Sequence, residues 1–175
     1  MNDLRLFTNR LELVAATLEL AQAEISDLSA FANLLNVPRP GKWPPPLNDE
    51  HSQPAFLASL QKAESDDDGW NLWFCILGEP RMLVGNAGFK GRPQAGLVEI
   101  GYSMLETHQR NGYCTEAVRA LLDWAFQNRA VRTVIAHTLP GLTPSIRVME
   151  KCGFVFAGNG PMEDGMPTIR YQLSR

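Results

Sequence analysis

The spacing of apolar residues divides the first third of the chain into a strand, helices and a loop. Apolar positions alternate over residues 10–17 and predict a strand, whereas residues 18–35 carry Ala, Leu and Glu at helical spacing and predict one or two helices. Residues 36–50 contain five prolines, which remove backbone donors and fix φ, so this segment is predicted to be a long loop. Helical spacing returns over residues 51–64, with an apolar stripe that we expect to be buried: Phe56, Leu57 and Leu60.

Three extended segments follow in the middle of the chain, at residues 70–78, 81–91 and 97–105. The connections between them are short and contain glycine and proline, which is typical of hairpins. We therefore predict three antiparallel strands that are neighbours in one sheet.

The last third of the chain alternates helices with strands. Residues 115–128 form the clearest helical pattern, with a continuous apolar stripe made of Ala117, Val118, Leu121, Leu122 and Ala125. Residues 131–139 are rich in β-branched side chains and predict a strand, and residues 168–175 predict the final strand.

A second helix is predicted between those two strands, over residues 143–154. Thr143 is suited to cap its first turn, Pro144 fits the first helical position, and Gly153 fits the position after its end. Together the segments predict an α+β fold in a single domain over residues 1–175. We expect a mostly antiparallel sheet of six to seven strands flanked by helices.

Composition and charge exclude several classes of function. The formal net charge of −3 argues against a general nucleic-acid binder. No apolar run is long enough to span a bilayer, and the first ten residues do not resemble a signal peptide, so we expect a cytoplasmic protein without a membrane partner. Three scattered cysteines predict neither a zinc site nor disulfides, and the polar turn at 64–69 lacks the closing glutamate of a calcium loop. No metal is expected.

The segment THQRNGYCTEA, residues 107–117, lies between the third of the predicted hairpin strands and the clearest helix. Backbone N–H groups at a helix start have no intrahelical partner, and the helix dipole adds about half a positive charge, so such a turn binds phosphate readily. Gly112 allows a positive φ and a close ligand approach, while Gln109 and Arg110 add side-chain donors. An ordinary helix cap explains the same residues equally well.

Two stretches of sequence carry a family resemblance. VEIGYSMLETHQRNGYCTEAVRALLDWAF, followed by TPSIRVMEKCGFVFAG, resembles the GCN5-related N-acetyltransferases (GNAT), and among them the bacterial ribosomal-protein alanine acetyltransferases. The family signature Q/R-x-x-G-x-G/A is met by Gln109 and Gly112, with Cys114 in place of the usual glycine or alanine. Leu142 also departs from the family pattern, which often has asparagine at that position.

The resemblance implies acetyl-CoA as the acetyl donor and a sheet that splays apart at its site. It places the pyrophosphate on the backbone amides of residues 109–115, and the pantetheine arm beside a strand that separates from the next one at a bulge. The residues expected to contact the cofactor are Tyr102, Met104, Leu105, Gln109, Arg110, Asn111, Gly112, Tyr113, Cys114, Thr115 and Ser145.

Acetyl transfer requires a neutral amine, a stabilised oxyanion and a proton for the departing thiolate. Glu99 is the first candidate for the general base, with His137 or a water molecule as alternatives. By resemblance, Ser145 approaches the coenzyme sulfur and protonates or hydrogen-bonds the thiolate. Tyr102 is an alternative acid, although a core aromatic explains it first, and backbone N–H groups near Met104 are expected to contact the oxyanion. Every one of these side chains also has a purely structural explanation.

The acceptor is expected to be an amine, either a protein N-terminus, by resemblance to the branch, or a small molecule. Trp43 lies among the prolines of the long loop and is a candidate wall of the acceptor pocket together with Glu99, although packing over the sheet explains Trp43 equally well. Cys75 and Cys152 are expected to pack rather than react. A non-catalytic acyl-CoA-binding module of the same fold is the alternative function, and we expect a monomer or a homodimer.

Overall fold

An eight-stranded sheet organises the described residues of this computed structural model, which are 4–46, 52–62, 69–163 and 165–175. The strands in chain order are β1 (Arg5–Phe7), β2 (Leu11–Ala15), β3 (Leu72–Leu77), β4 (Met82–Phe89), β5 (Leu97–Met104), β6 (Thr133–Thr138), β7 (Val155–Glu163) and β8 (Met166–Ser174). Their order across the sheet is β1-β2-β3-β4-β5-β6-β8-β7. All neighbours run antiparallel except β5 and β6, which are parallel.

Helices cover both faces of the sheet, and each face buries its own apolar cluster. The helices are α1 (Leu18–Ser26), α2 (Leu28–Leu34), α3 (Ser52–Lys62), α4 (Tyr113–Gln127) and α5 (Thr143–Lys151). The larger cluster lies under α4, whose predicted stripe is buried as expected: Ala117, Val118, Leu121, Leu122 and Ala125. The smaller cluster joins Phe31 and Leu35 near α2 to Phe74 and Ile76 of β3.

The predicted α+β class and the three antiparallel hairpin strands are confirmed, but the sheet has more strands than the six to seven predicted. The strands missing from the sequence pattern are β1 and β7. β1 is only three residues long. In β7, Gly158, Gly160 and Pro161 interrupt the pattern, its register shifts twice, and most of its side chains face solvent. Neither strand therefore produces the alternation that marks a half-buried strand.

Two details of the predicted helices are wrong. Phe56, Leu57 and Leu60 are half-buried, and no described residue of α3 is buried, because this helix lies on the surface beside α1. The residue that precedes α5 is Leu142, so Thr143 is the first helical residue and its hydroxyl donates to the Gly141 carbonyl at 3.3 Å.

Other local predictions have clear outcomes. Pro144 is the second helical residue of α5, one position later than predicted, and Gly153 follows the end of the helix with φ +88°, as predicted. The polar turn predicted at 64–69 falls outside the described residues except for Gly69. Among the helices of the described chain, none has the length and apolar character needed to cross a membrane.

Candidate active site

The parallel strands β5 and β6 separate over half of their length. Their described pairing joins Leu97–Glu99 to Thr133–Ile135, whereas β5 continues to pair with β4 as far as Met104. β6 instead follows β8 along its whole length. The strands therefore diverge after Glu99 and leave a gap in the middle of the sheet.

Main-chain groups of β5 point into this gap. The Glu99 carbonyl accepts from the Lys90 N–H, and the Leu105 N–H donates to the Val84 carbonyl, so the odd-numbered residues of β5 bond to β4. In an antiparallel pair the intervening residues direct their N–H and C=O groups to the other side. The gap is therefore lined by main-chain groups of Ile100, Tyr102 and Met104, whereas the N–H of Leu105 is already used within the sheet.

The bulge near the gap lies in β4 rather than in β5. Cys75 pairs with Gly85 and Ile76 with Leu83, so Val84 is the extra residue, while β5 keeps a continuous register with β4. A Cβ atom at Gly85 would stand 2.4 Å from the Ser103 carbonyl oxygen, so only glycine permits this approach of the two strands. The resemblance places a bulge where β5 separates from the next strand, but the described pairings of β5 show no register shift there, and the strands separate because β6 follows β8.

The turn after β5 ends in backbone amides that have no acceptor within the following helix. α4 begins at Tyr113, two residues earlier than predicted, and Gly112 precedes it in the left-handed conformation at φ +82°. The first helical bond runs from the Glu116 N–H to the Gly112 carbonyl, so the N–H groups of residues 113–115 project from the helix end. Together with the helix dipole they form a site suited to an anion.

Two amide side chains of the turn hold its shape. Gln109 donates to the Met104 carbonyl at 3.1 Å, and Asn111 donates to the His108 and Gln109 carbonyls at 3.2 and 3.0 Å. Arg110 is exposed and has φ +64°, a second left-handed residue in the turn. The signature glutamine therefore acts on the backbone of the turn and occupies one of the carbonyls that faces the gap.

Tyr102 and Ser145 meet across the gap. The Tyr102 hydroxyl donates to the Ser145 carbonyl at 3.0 Å and lies 3.2 Å from Ser145 Oγ. Burial raises the pKa of Tyr102 well above its ordinary value, so the phenol is a protonated donor at neutral pH. Tyr102, which the sequence favours as a core aromatic, therefore joins β5 to the first turn of α5.

Glu99 lies on the opposite face of β5, within a group of ionisable side chains. Its Oε1 atom is 2.5 Å from Lys90 Nζ and 3.1 Å from His137 Nδ1. Lys90 Nζ is also 3.5 Å from Glu163 Oε1. Burial opposes the charge of Lys90, but its contacts with Glu99 and Glu163 outweigh that effect and raise its pKa. The negative charge of the Glu99 carboxylate is therefore balanced by the ammonium group of Lys90.

The same face holds the buried polar side-chain atoms that have no hydrogen-bond partner within the described chain, namely Asn86 Nδ2, His137 Nδ1 and Arg170 Nε. The His137 contact with Glu99 is close but lacks hydrogen-bond geometry. Asn86 pairs with Ser103 across β4 and β5, and Arg170 pairs with His137 across β8 and β6. Paired residues share a face of a sheet, so all three atoms belong to the Glu99 face.

The ligand atoms of Glu99, His137 and Glu163 lie within 4.8 Å of one another, a spacing that can suit a metal ion. Lys90, however, places its ammonium group against both carboxylates. We therefore describe this group as an ion-pair network and assign no metal to it.

The proline-containing loop covers this face as well. Trp43 donates from Nε1 to Glu24 Oε1 at 2.8 Å, and its ring lies 5.7 Å from that of Phe31. The Ser103 hydroxyl donates to the Pro46 carbonyl and ties the loop to β5. Trp43 therefore packs on the smaller apolar cluster, and its role as a wall of the acceptor pocket stays a prediction.

All three cysteines are free thiols. Cys75 is fully buried in the sheet, and burial raises the pKa of the Cys75 and Cys114 thiols above the ordinary value and that of Cys152 to about 11. A protonated thiol is a poor nucleophile. Cys75 and Cys152 therefore pack, as predicted, rather than offer a thiolate for acyl transfer, and the contact of Cys114 with the cofactor stays a prediction.

Several residues at the site escaped the sequence analysis: Arg10, Lys90, Glu163 and Arg170. Arg10 reaches the carboxylate of Glu116 from 106 residues away, and Lys90 reaches Glu163 from 73 residues away. No periodicity or short motif connects residues so far apart. The order of the strands and the packing of α4 on the sheet bring them together.

Comparison with known proteins agrees with this architecture. A sequence profile described as an Acetyltransferase (GNAT) domain matches residues 17–155. The chain is 28% identical over 149 residues to YjdG of Bacillus subtilis (strain 168), named as an N-acetyltransferase, with 85% of this chain and 88% of that protein covered.

Two solved structures share the fold at low sequence identity. One is a ribosomal-protein-S5-alanine acetyltransferase from Vibrio fischeri, with a TM-score of 0.69, 15% identity, and 98% of this chain and 97% of that chain covered. The other is the microcin self-immunity acetyltransferase MccE in complex with acetyl-CoA and AMP, with a TM-score of 0.65, 16% identity, and 96% and 94% covered. With the profile match over most of its length, the chain belongs to the GNAT acetyltransferase family.

Proposed function

We propose that the protein uses acetyl-CoA to acetylate a primary amine by direct attack in a ternary complex. The observation that carries this proposal is the gap between β5 and β6. It has an anion-binding helix start at one end and opens beside Glu99 on the opposite face. A coenzyme and an amine can therefore approach each other through the sheet from its two sides.

The coenzyme is held mainly by the backbone. The N–H groups of residues 113–115 bind the pyrophosphate, and Gly112 keeps side-chain atoms away from it. The pantetheine arm pairs like an additional strand with the main-chain groups of Ile100, Tyr102 and Met104 that face the gap. The Met104 carbonyl is occupied by Gln109, so the Met104 N–H is the group left on that residue.

This N–H is our candidate for oxyanion stabilisation. A backbone donor fixed in a strand needs no reorganisation when negative charge develops on the thioester oxygen. The departing sulfur is served by Ser145 and Tyr102, which already contact each other at the gap. Because burial raises the pKa of Tyr102, this pair stabilises the thiolate by hydrogen bonding more readily than by complete proton transfer.

The amine enters on the face of Glu99. We propose that Glu99 orients the amine and accepts its proton directly or through water. His137, whose Nδ1 lies 3.1 Å from Glu99 Oε1, is the alternative base. Asn86 Nδ2 and Arg170 Nε have no hydrogen-bond partner among the described residues, so these donors suit an oxygen atom near the amine, as in a peptide N-terminus. The similarity to a ribosomal-protein alanine acetyltransferase supports the same acceptor class, and a small polar amine is the alternative.

A single experiment separates turnover from binding alone. Purified protein is incubated with acetyl-CoA and a panel of peptides and small amines, free thiol is followed, and products are examined by mass spectrometry. We expect thiol release that depends on the amine and a product heavier by one acetyl group. Tight coenzyme binding without release for any amine would favour a non-catalytic acyl-CoA-binding module.

A further inference from the structure

We propose that Arg10, in the turn between β1 and β2, is a positioning residue for the pyrophosphate-binding turn and cancels the charge of Glu116 beside it. This inference rests on the coenzyme site proposed above. Arg10 itself lies outside residues 17–155, which the GNAT profile matches, whereas the residues it contacts lie inside them.

The contacts of Arg10 form a clamp between the first hairpin and the turn. Its Nε and Nη2 atoms lie 2.8 and 2.7 Å from Glu116 Oε2, and its backbone N–H donates to Glu116 Oε1 at 2.8 Å. Its Nη1 donates to the Asn111 carbonyl at 3.0 Å, and the guanidinium covers the Tyr113 ring at 4.6 Å. The Thr8 hydroxyl adds a bond of 2.7 Å to Glu116 Oε1. Every contact ends on the turn or on the first residues of α4.

The charge of Glu116 gives the clamp an electrostatic role. Glu116 lies in the first turn of α4, where a carboxylate favours the helix but repels an incoming phosphate. Burial opposes its ionisation, but hydrogen bonds from Thr8 and Arg10 outweigh burial and lower its pKa, so it is ionised at neutral pH. Arg10 supplies the compensating positive charge next to the anion site.

The geometry of the turn gives the clamp a second role. Gly112 and Arg110 both have positive φ, and Asn111, which stands between them, has its carbonyl held by Arg10. A Cβ atom at Gly112 would lie 3.4 Å from Arg10 Nη2, so the guanidinium stands against the turn itself. Holding this backbone keeps the free N–H groups aimed at one point before the ligand arrives.

The test compares Arg10→Gln, Glu116→Gln and the double variant. We expect Arg10→Gln to weaken coenzyme A binding about tenfold by calorimetry, because an uncompensated carboxylate then faces the phosphates. The kcat at saturating acetyl-CoA should stay within about twofold, since the reacting atoms are untouched. Glu116→Gln should restore much of the affinity in the double variant. An equal loss in the single and double variants would overturn the charge role.

Arg10→Lys and Arg81→Gln are the matched controls. Arg10→Lys keeps the charge but not the planar fork, so we expect an intermediate affinity. Arg81 pairs with Glu12 at 2.6 Å and donates to the Leu35 and Asn36 carbonyls near α2, away from the turn. Arg81→Gln should lower the melting temperature without changing the Kd of coenzyme A.

Two results decide between this inference and the function on which it rests. Unchanged affinity in Arg10→Gln, with binding abolished by Gly112→Asp, would reject the role of Arg10 alone. Unchanged affinity in both variants would reject the turn as the coenzyme site.

Discussion

The two faces of β5 bring different chemistry to the same gap. On the Tyr102 face, the turn, the start of α4 and the start of α5 offer backbone amides and hydroxyl groups. On the Glu99 face, Lys90, which follows the end of β4, meets ionisable side chains from β5, β6 and β7 in one network. The Tyr102 face therefore suits one invariant ligand, such as a coenzyme, and the Glu99 face suits a ligand that is recognised by its charge and polarity.

The contacts within each face also differ in what they leave for a ligand. The N–H groups of residues 113–115 have no acceptor in the helix, so an anion completes the turn without displacing protein contacts. Glu99 is already paired with Lys90, so an acceptor amine must share or replace that contact. Coenzyme binding and acceptor binding should therefore respond to separate substitutions.

The largest effect is expected on the turn, with Gly112→Asp. The substitution places a side chain at φ +82° and a negative charge where we propose that the phosphates bind, so coenzyme affinity should fall by more than about 100-fold. Calorimetry with coenzyme A measures the loss. Gly112→Ala has the same backbone strain without the charge, and equal losses in both variants would assign the effect to strain.

The next effect is expected on the other face, with Glu99→Gln. The variant keeps the size of the side chain but removes the basic site, so kcat/KM at neutral pH should fall about 10²–10⁴-fold. The Kd of coenzyme A should not change, which separates the two faces. The loss should shrink as pH rises, because more of the amine is then neutral without help.

Glu163→Gln is the control for this effect, since Glu163 contacts the same lysine at 3.5 Å but belongs to β7. We expect a much smaller change in kcat/KM. A small loss in Glu99→Gln that does not depend on pH would contradict the base role and leave His137 or water as the base.

The same contrast explains how far the sequence predicts the site. The turn is encoded locally, because Gly112, the helix pattern after it and the glutamine before it lie within one short segment. The start of α4 is therefore predicted within two residues. The family resemblance adds Ser145, which joins Tyr102 only through the course of β5 and α5.

The Glu99 face is encoded by topology and is therefore predicted poorly. Glu99 and His137 are recognisable as ionisable residues on predicted strands, but their contact depends on the parallel pairing of β5 and β6. Lys90 follows the end of β4, and Glu163 lies in β7, whose glycines and proline hide that strand from the sequence pattern. Side chains from separate strands meet by register, which no local period specifies.

A smaller effect is expected for the pair of hydroxyl groups on the Tyr102 face, those of Tyr102 and Ser145. Ser145→Ala and Tyr102→Phe each remove one hydroxyl from the gap, so each should lower kcat about tenfold or less with little change in coenzyme Kd. Because the two hydroxyls form one contact, the double variant should lose less than the product of the single losses. Independent, multiplicative losses would show that only one of them serves the departing sulfur.

The smallest effect concerns how the free energy of unfolding changes at acid pH through two carboxylates. One is the half-buried Glu116 on the Tyr102 face, and the other is the buried Glu24 beside Trp43. The pKa of Glu116 is lowered from 4.5, chiefly because hydrogen bonds from Thr8 and Arg10 outweigh burial. Glu116 therefore contributes on the order of 1 kcal/mol to the free energy of unfolding, as expected for a partly exposed pair. This contribution is complete above pH 4.5 and is lost as pH falls through the pKa of Glu116 in the folded state.

Glu24 has the opposite sign, because burial raises its pKa above 4.5 despite its bonds to Trp43 and Gln53. Its contribution is complete below that pH and is lost as pH rises through the folded pKa. Urea unfolding of Glu116→Gln and Glu24→Gln, from about pH 7 down to pH 3.5, measures both contributions. On acidification, the free energy of unfolding of Glu116→Gln should approach that of the native chain. Glu24→Gln should be more stable than the native chain at neutral pH and lose that difference on acidification. Parallel pH profiles for the two variants would show that neither carboxylate is coupled to folding through the partners seen in the structure.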